Sequence, residues 1–204
     1  YTYNGAGSIE LQPTSTAHWD KAIEVNTSDC FPVFNTDVII HQTTDFVPRI
    51  SVYASSTITF NGALTLTNSA NPGRATDFYA AAATGTIVMN GDIYNECGMR
   101  FGSGNLTTVI GGSGSTYGRS DLGAAILKGG RMELNRTRAL INSALNMEGI
   151  TMVLGADEAV ASGAALLFKE GQIVAQGYDQ DFGGLDVYTS DVAFDMDGSD
   201  SIWT

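Results

Sequence analysis

Apolar and polar residues alternate with a period of two in short runs along most of the chain. Ile58 and Phe60 are followed by Leu64 and Leu66, and Ile87 and Met89 by Ile93. Then come Met132 with Leu134, Ile150 with Met152 and Leu154, and Ile173 with Ala175. Such alternation turns one set of side chains inward and the other outward on a strand. Nearly every run closes on Asn-Gly, Gly-Gly or Asn, residues that supply the positive φ of tight turns. The pattern predicts many short strands joined by tight turns.

The runs also resemble one another. Thr57 to Asn68 aligns with Thr86 to Asn95 at an offset of 29 residues, and Ala125 to Asn135 is a looser copy. Repetition at this spacing marks a stacked solenoid, in which each coil buries its face only against its neighbours. The expected fold is all-β, a right-handed parallel β-helix of roughly six to eight coils. An antiparallel β-sandwich is the alternative, favoured if Asn61-Gly62 and Asn90-Gly91 are two-residue hairpin turns. Helix competes only over Arg131 to Met147, where Leu134, Arg138, Ile141 and Leu145 share a face. Asn135, Thr137, Asn142, Ser143 and Asn146 dilute that reading, and no cap precedes it. Neither the loop Ser69 to Arg74 nor the Gly/Ser region Gly111 to Gly118 marks a change of composition. Residues 1–204 therefore read as one domain.

Composition narrows the function. The 204 residues are 43% hydrophobic and hold 24 glycines, well above the ~7% share usual in proteins. Charged residues are 16%, with 22 acidic against 10 basic and a net charge of −12. That balance speaks against nucleic acid as a partner and against docking on anionic lipid. No apolar run approaches the roughly 20 residues of a spanning helix, so membrane insertion by helix is not expected. From Leu145 onward the only basic residue is Lys169. The chain opens at Tyr1 without an initiator Met or a leader, which reads as a processed piece of a longer chain.

Asn105 to Gly118, followed by Ala124 to Leu134, resembles the autotransporter-associated β-strand repeat, with its Gly-rich "T-Y-x-G" half and its "G-G-x-L-x-L" half. The opening, with His18-Trp19-Asp20, Pro32 and Asp37-Val-Ile-Ile40, is similar to the start of large bacterial surface proteins that carry such repeats. The closing Asp191 to Trp203 resembles their "L-D-F-G-x-G-S" coils. The resemblance implies a right-handed parallel β-helix outside a bacterial cell, with an adhesive or scaffolding role.

Candidate chemistry is sparse. Cys30 and Cys97 allow one disulfide, or stand as two small buried hydrophobes. Asp195, Asp197 and Asp200 offer hard oxygens of the kind calcium prefers, or a solvated acidic edge. Asp179, Asp181 and Asp186 suit a polysaccharide hydrolase, or a lyase if a base were near, and Lys169 is the sole base in that third. No nucleophile elbow or phosphate loop is present, and Gly111-Gly-Ser-Gly114 reads as repeat-turn glycine. Tyr1, Tyr3, Trp19, Tyr53, Tyr94, Tyr117, Tyr178, Tyr188 and Trp203 are aromatic rings that could stack on glycans. Tyr1, Tyr3, Ile9 and Leu11 lie in an apolar, extended segment suited to pairing with another chain's sheet edge. The expected function is non-enzymatic: an extracellular or cell-surface structural or adhesive protein that self-associates into an oligomer or filament. A carbohydrate-binding or polysaccharide-degrading protein on the same scaffold is the rival.

Overall fold

The structure is a computed structural model that describes residues 1–13, 19–45, 47–71, 74–80, 84–101, 104–118, 124–187 and 192–195. Its strands, numbered in chain order, stack along three faces. The first face holds β1 (Thr2–Tyr3), β4 (Val33–Phe34), β7 (Thr57–Phe60), β10 (Gly85–Met89), β13 (Leu106–Ile110) and β16 (Arg131–Leu134). It continues through the later parts of β17 (Ala144–Leu154) and β18 (Ala164–Val174) to β20 (Val192–Asp195). The second face holds β2 (Ser8–Leu11), β5 (Asp37–Gln42), β8 (Leu64–Asn68), β11 (Ile93–Asn95) and β14 (Thr116–Gly118). On the third lie β3 (Trp19–Glu24), β6 (Val47–Val52), β9 (Thr76–Ala80), β12 (Met99–Phe101) and β15 (Ala124–Lys128), then the early parts of β17 and β18, then β19 (Phe182–Val187).

Every strand pairing among the described residues is parallel, and the coils form a β-helix of about seven turns. This excludes the β-sandwich alternative. The stretch Arg131 to Met147 is also not helical: β16 is followed by a corner around Leu140, and β17 begins at Ala144.

Inward side chains form continuous files, as period-two alternation requires. Phe60, Met89, Ile110 and Leu134 pair in sequence along the first face. Ile50, Phe78, Phe101, Leu127, Met147 and Phe168 do so along the third. All are buried. Each such side chain contributes about 1.5–3 kcal/mol relative to an exposed one, so stabilisation accumulates coil by coil through the middle of the stack.

The offset of 29 residues is a coil repeat. Thr57 pairs with Thr86 and Leu64 with Ile93, one coil apart on two faces. The looser copy Ala125 to Asn135 is out of phase, because its first half lies on the third face and its second half on the first. Its Gly129-Gly130 corner, with φ of 64° and 72°, joins the third face to the first, whereas the Asn-Gly corners join the first face to the second.

That Asn-Gly corner works differently from a hairpin turn. Gly62 and Gly91 do not have positive φ; they are glycines because the next coil leaves no room for a Cβ. An added carbon on Gly62 would collide with the Thr36 carbonyl, one on Gly91 with the Gly62 carbonyl, and one on Gly114 with the Gly91 carbonyl. The preceding asparagines form a ladder: Asn35 donates to Asn4 at 2.7 Å, Asn61 to Asn35 at 2.8 Å and Asn90 to Asn61 at 2.9 Å. Farther along, Arg136 clamps three coils from within, donating to the carbonyls of Gly91 at 2.8 Å and Gly111 at 3.1 Å and to the Thr116 hydroxyl at 2.9 Å. Burial pulls its guanidinium below the usual arginine pKa.

Candidate functional site

The first coil carries open strand edges among the described residues, as do β19 and β20 at the other end of the stack. β1 pairs only with β4, β2 only with β5 and β3 only with β6, so all three strands carry one open edge among the described residues. Backbone donors and acceptors along such an edge are a template for another strand.

The side chains of that coil are equally incomplete. Ile9 and Leu11 stand in register with Val38 and Ile40, which are fully buried. Ile9 and Leu11 belong to the same inward files but remain half-buried, packed on one side against the core. Tyr3 stacks on Phe34 at 4.8 Å, and Phe34 on Phe60 at 5.2 Å, so an aromatic file also ends at this coil. Tyr1 is 87% exposed and Tyr3 44%. A hollow of about 280 Å³ lies beside them, lined by Tyr1, Tyr3, Ile23, Val25, Cys30 and Phe34. The four residues singled out for association thus come together at one end of the solenoid.

The other candidates do not assemble. Cys30 and Cys97 are free thiols. Cys30 leads into β4, whereas Cys97 lies between β11 and β12, past the ladder step from β7 to β10. Two coil steps of about 4.8 Å each exceed the ~7 Å Cα separation that a disulfide spans. Burial raises the Cys97 thiol pKa. Of the calcium candidates, Asp195 closes β20, while Asp197 and Asp200 lie outside the described residues.

Asp179 and Asp181 flank the buried Gln180 at a corner, and Asp186 is exposed within β19. The Asp179 amide donates to Asp157 at 3.0 Å, and Asp181 accepts from the Ser162 hydroxyl. Among the described residues no three His, Cys, Asp or Glu side chains converge as metal ligands would.

Away from Tyr1 and Tyr3, Tyr94 and Tyr117 stack on each other on the second face at 5.0 Å. The Tyr94 hydroxyl donates to Asp92 at 3.4 Å; burial, then the Asp92 charge, raises its pKa. Each ring uses one face on the other. Tyr188 and Trp203 lie outside the described residues.

Sequence reasoning missed the polar residues that hold the third face. Asp77 is buried between Arg49 and Arg100, and Glu148 sits between Lys128 and Lys169. Their partners are 20 to 28 residues away, one coil length, so the repeat spacing itself was the available signal. No helix among the described residues is long and apolar enough to cross a membrane. Comparison with protein-family models, curated proteins and solved structures finds no match.

Proposed function

We propose that the protein is a non-enzymatic, extracellular structural or adhesive component that self-associates through its first coil. The observation that carries this reading is the pair Ile9 and Leu11, core positions left half-exposed beneath three open strand edges. A second strand layer laid on β1, β2 and β3 satisfies their free backbone groups and completes the apolar files in one step. The chain's low content of charge and its coil-on-coil stack suit a rigid rod rather than a cleft enzyme.

Light scattering on the eluting full chain across a concentration series tests this, with and without calcium. The expected result is a mass that rises with concentration in the wild type and stays monomeric in the Tyr3→Lys/Ile9→Lys variant. The control Tyr178→Lys, far from the first coil, should associate as the wild type does. A monomer throughout, or association indifferent to the double variant, contradicts the reading.

A further inference from the structure

A second surface, independent of the first coil, runs along the first face. Its outward side chains fall into straight files, because each coil repeats the register of the last. One file is Thr57, Thr86 and Thr107, and beside it run Thr59, Val88 and Val109. All six are half-buried, as expected of side chains standing on a flat sheet. At the strand ends lies the hydrogen-bonded ladder of Asn35, Asn61 and Asn90.

Successive coils are about 4.8 Å apart and neighbouring files, two residues apart, about 6.6 Å. The array is rigid, since the inward residues of the same strands, Ile58, Phe60, Ile87, Met89 and Ile110, are buried. It is also free of charge across three coils, in a chain of net charge −12. The array ends at Arg131 and Glu133, which occupy the next positions in the two files and bond to each other at 2.7 Å.

We propose that this face binds ice. A charged side chain holds its own hydration shell and disrupts a crystalline layer of water, so a charge-free face in an acidic chain fits a neutral, water-built occupant. Threonine methyls and valines restrain adjacent water at fixed spacing, while hydroxyls and carboxamides anchor it by hydrogen bonds. Both repeats of the array lie close to oxygen repeats on the prism faces of hexagonal ice. A protein or nucleic-acid partner recognised by charge finds nothing to pair with here. Glycan recognition usually adds aromatic platforms, and none of the six file residues is aromatic.

Partition of the full chain into a slowly growing ice front tests the proposal, at a concentration where light scattering gives a monomer. Thr86→Lys places a charge at the centre of the array; Thr65→Lys places one outward on β8, on the second face. Circular dichroism and melting confirm that both variants fold. Wild type and Thr65→Lys should be enriched in the ice, and Thr86→Lys excluded from it. Exclusion of the wild type, or entry of Thr86→Lys equal to wild type, overturns the proposal. If instead Thr86→Lys lowers the mass measured at higher concentration while no protein enters the ice, the face pairs with a second copy of the chain and ice binding is refuted.

Discussion

Arg49 donates to the Asp77 carboxylate at 3.0 Å from the neighbouring coil, and the carboxylate side chain is only 3% exposed. Arg100 reaches the other oxygen at 2.9 Å from the coil on the opposite side, so one anion joins three coils. The Arg49 guanidinium also lies over the Tyr79 ring at 4.4 Å. Removing the anion leaves two largely buried cations facing each other across the gap. Asp77→Ala should therefore destabilise the fold by about 3 kcal/mol, the cost of breaking a buried pair from one side. Denaturant unfolding with an unchanged slope would measure it. A loss below ~1 kcal/mol would show that the arginines find other partners at little cost.

The corner glycines make a sharper steric test. Gly91→Ala forces a carbon onto the Gly62 carbonyl, whereas Gly5 has nothing within 4 Å. Gly91→Ala should cost about 1–3 kcal/mol through overpacking, and Gly5→Ala should be close to neutral. Equal melting temperatures for the two variants would refute the close coil approach at this corner.

Thiol chemistry separates the two cysteines. Without reductant, denatured protein should titrate as two free thiols. In the folded state half-buried Cys30 should react first. Cys97, buried and with its thiol pKa raised, should react only as the fold opens. Loss of both thiols on oxidation with unchanged stability would contradict their separation.

Acid should weaken the stack at Glu148. Hydrogen bonds from Lys169 at 2.7 Å and then from Lys128 hold its carboxyl below the usual carboxylate range. With the folded pKa depressed, the unfolded chain takes up the proton first as pH falls. The stabilisation is complete above the ordinary carboxylate pKa and is lost on the way down through the folded value. Glu148→Gln should lower stability at neutral pH by roughly 0.5–1 kcal/mol, as for a partly exposed ion pair, and flatten the acid limb of the stability curve. A curve parallel to wild type would contradict this.

The inward files were legible because period two needs no tertiary knowledge: Ile58, Phe60, Ile87 and Met89 are all buried. The repeat offset was legible for the same reason, since stacking keeps register. The Asn-Gly corners were visible but their physics was not. Positive φ and close approach both select glycine, and only the next coil reveals that Gly62 and Gly91 answer to the second. Arg136 was illegible, because an arginine inside a β-helix depends on carbonyls of residues 25 and 45 positions earlier. Tyr1, Tyr3, Ile9 and Leu11 were legible as an apolar edge. That Ile9 and Leu11 continue inward files became apparent only from their register with Val38 and Ile40.

Hydrogen exchange at low and high protein concentration tests the central claim of association through the first coil most directly. Amides of β1, β2 and β3 should gain protection as concentration rises, while those of β10 and β13, already paired on both sides, stay as they were. Rising mass with no added protection in residues 2–11, or added protection confined to other strands, would contradict the account.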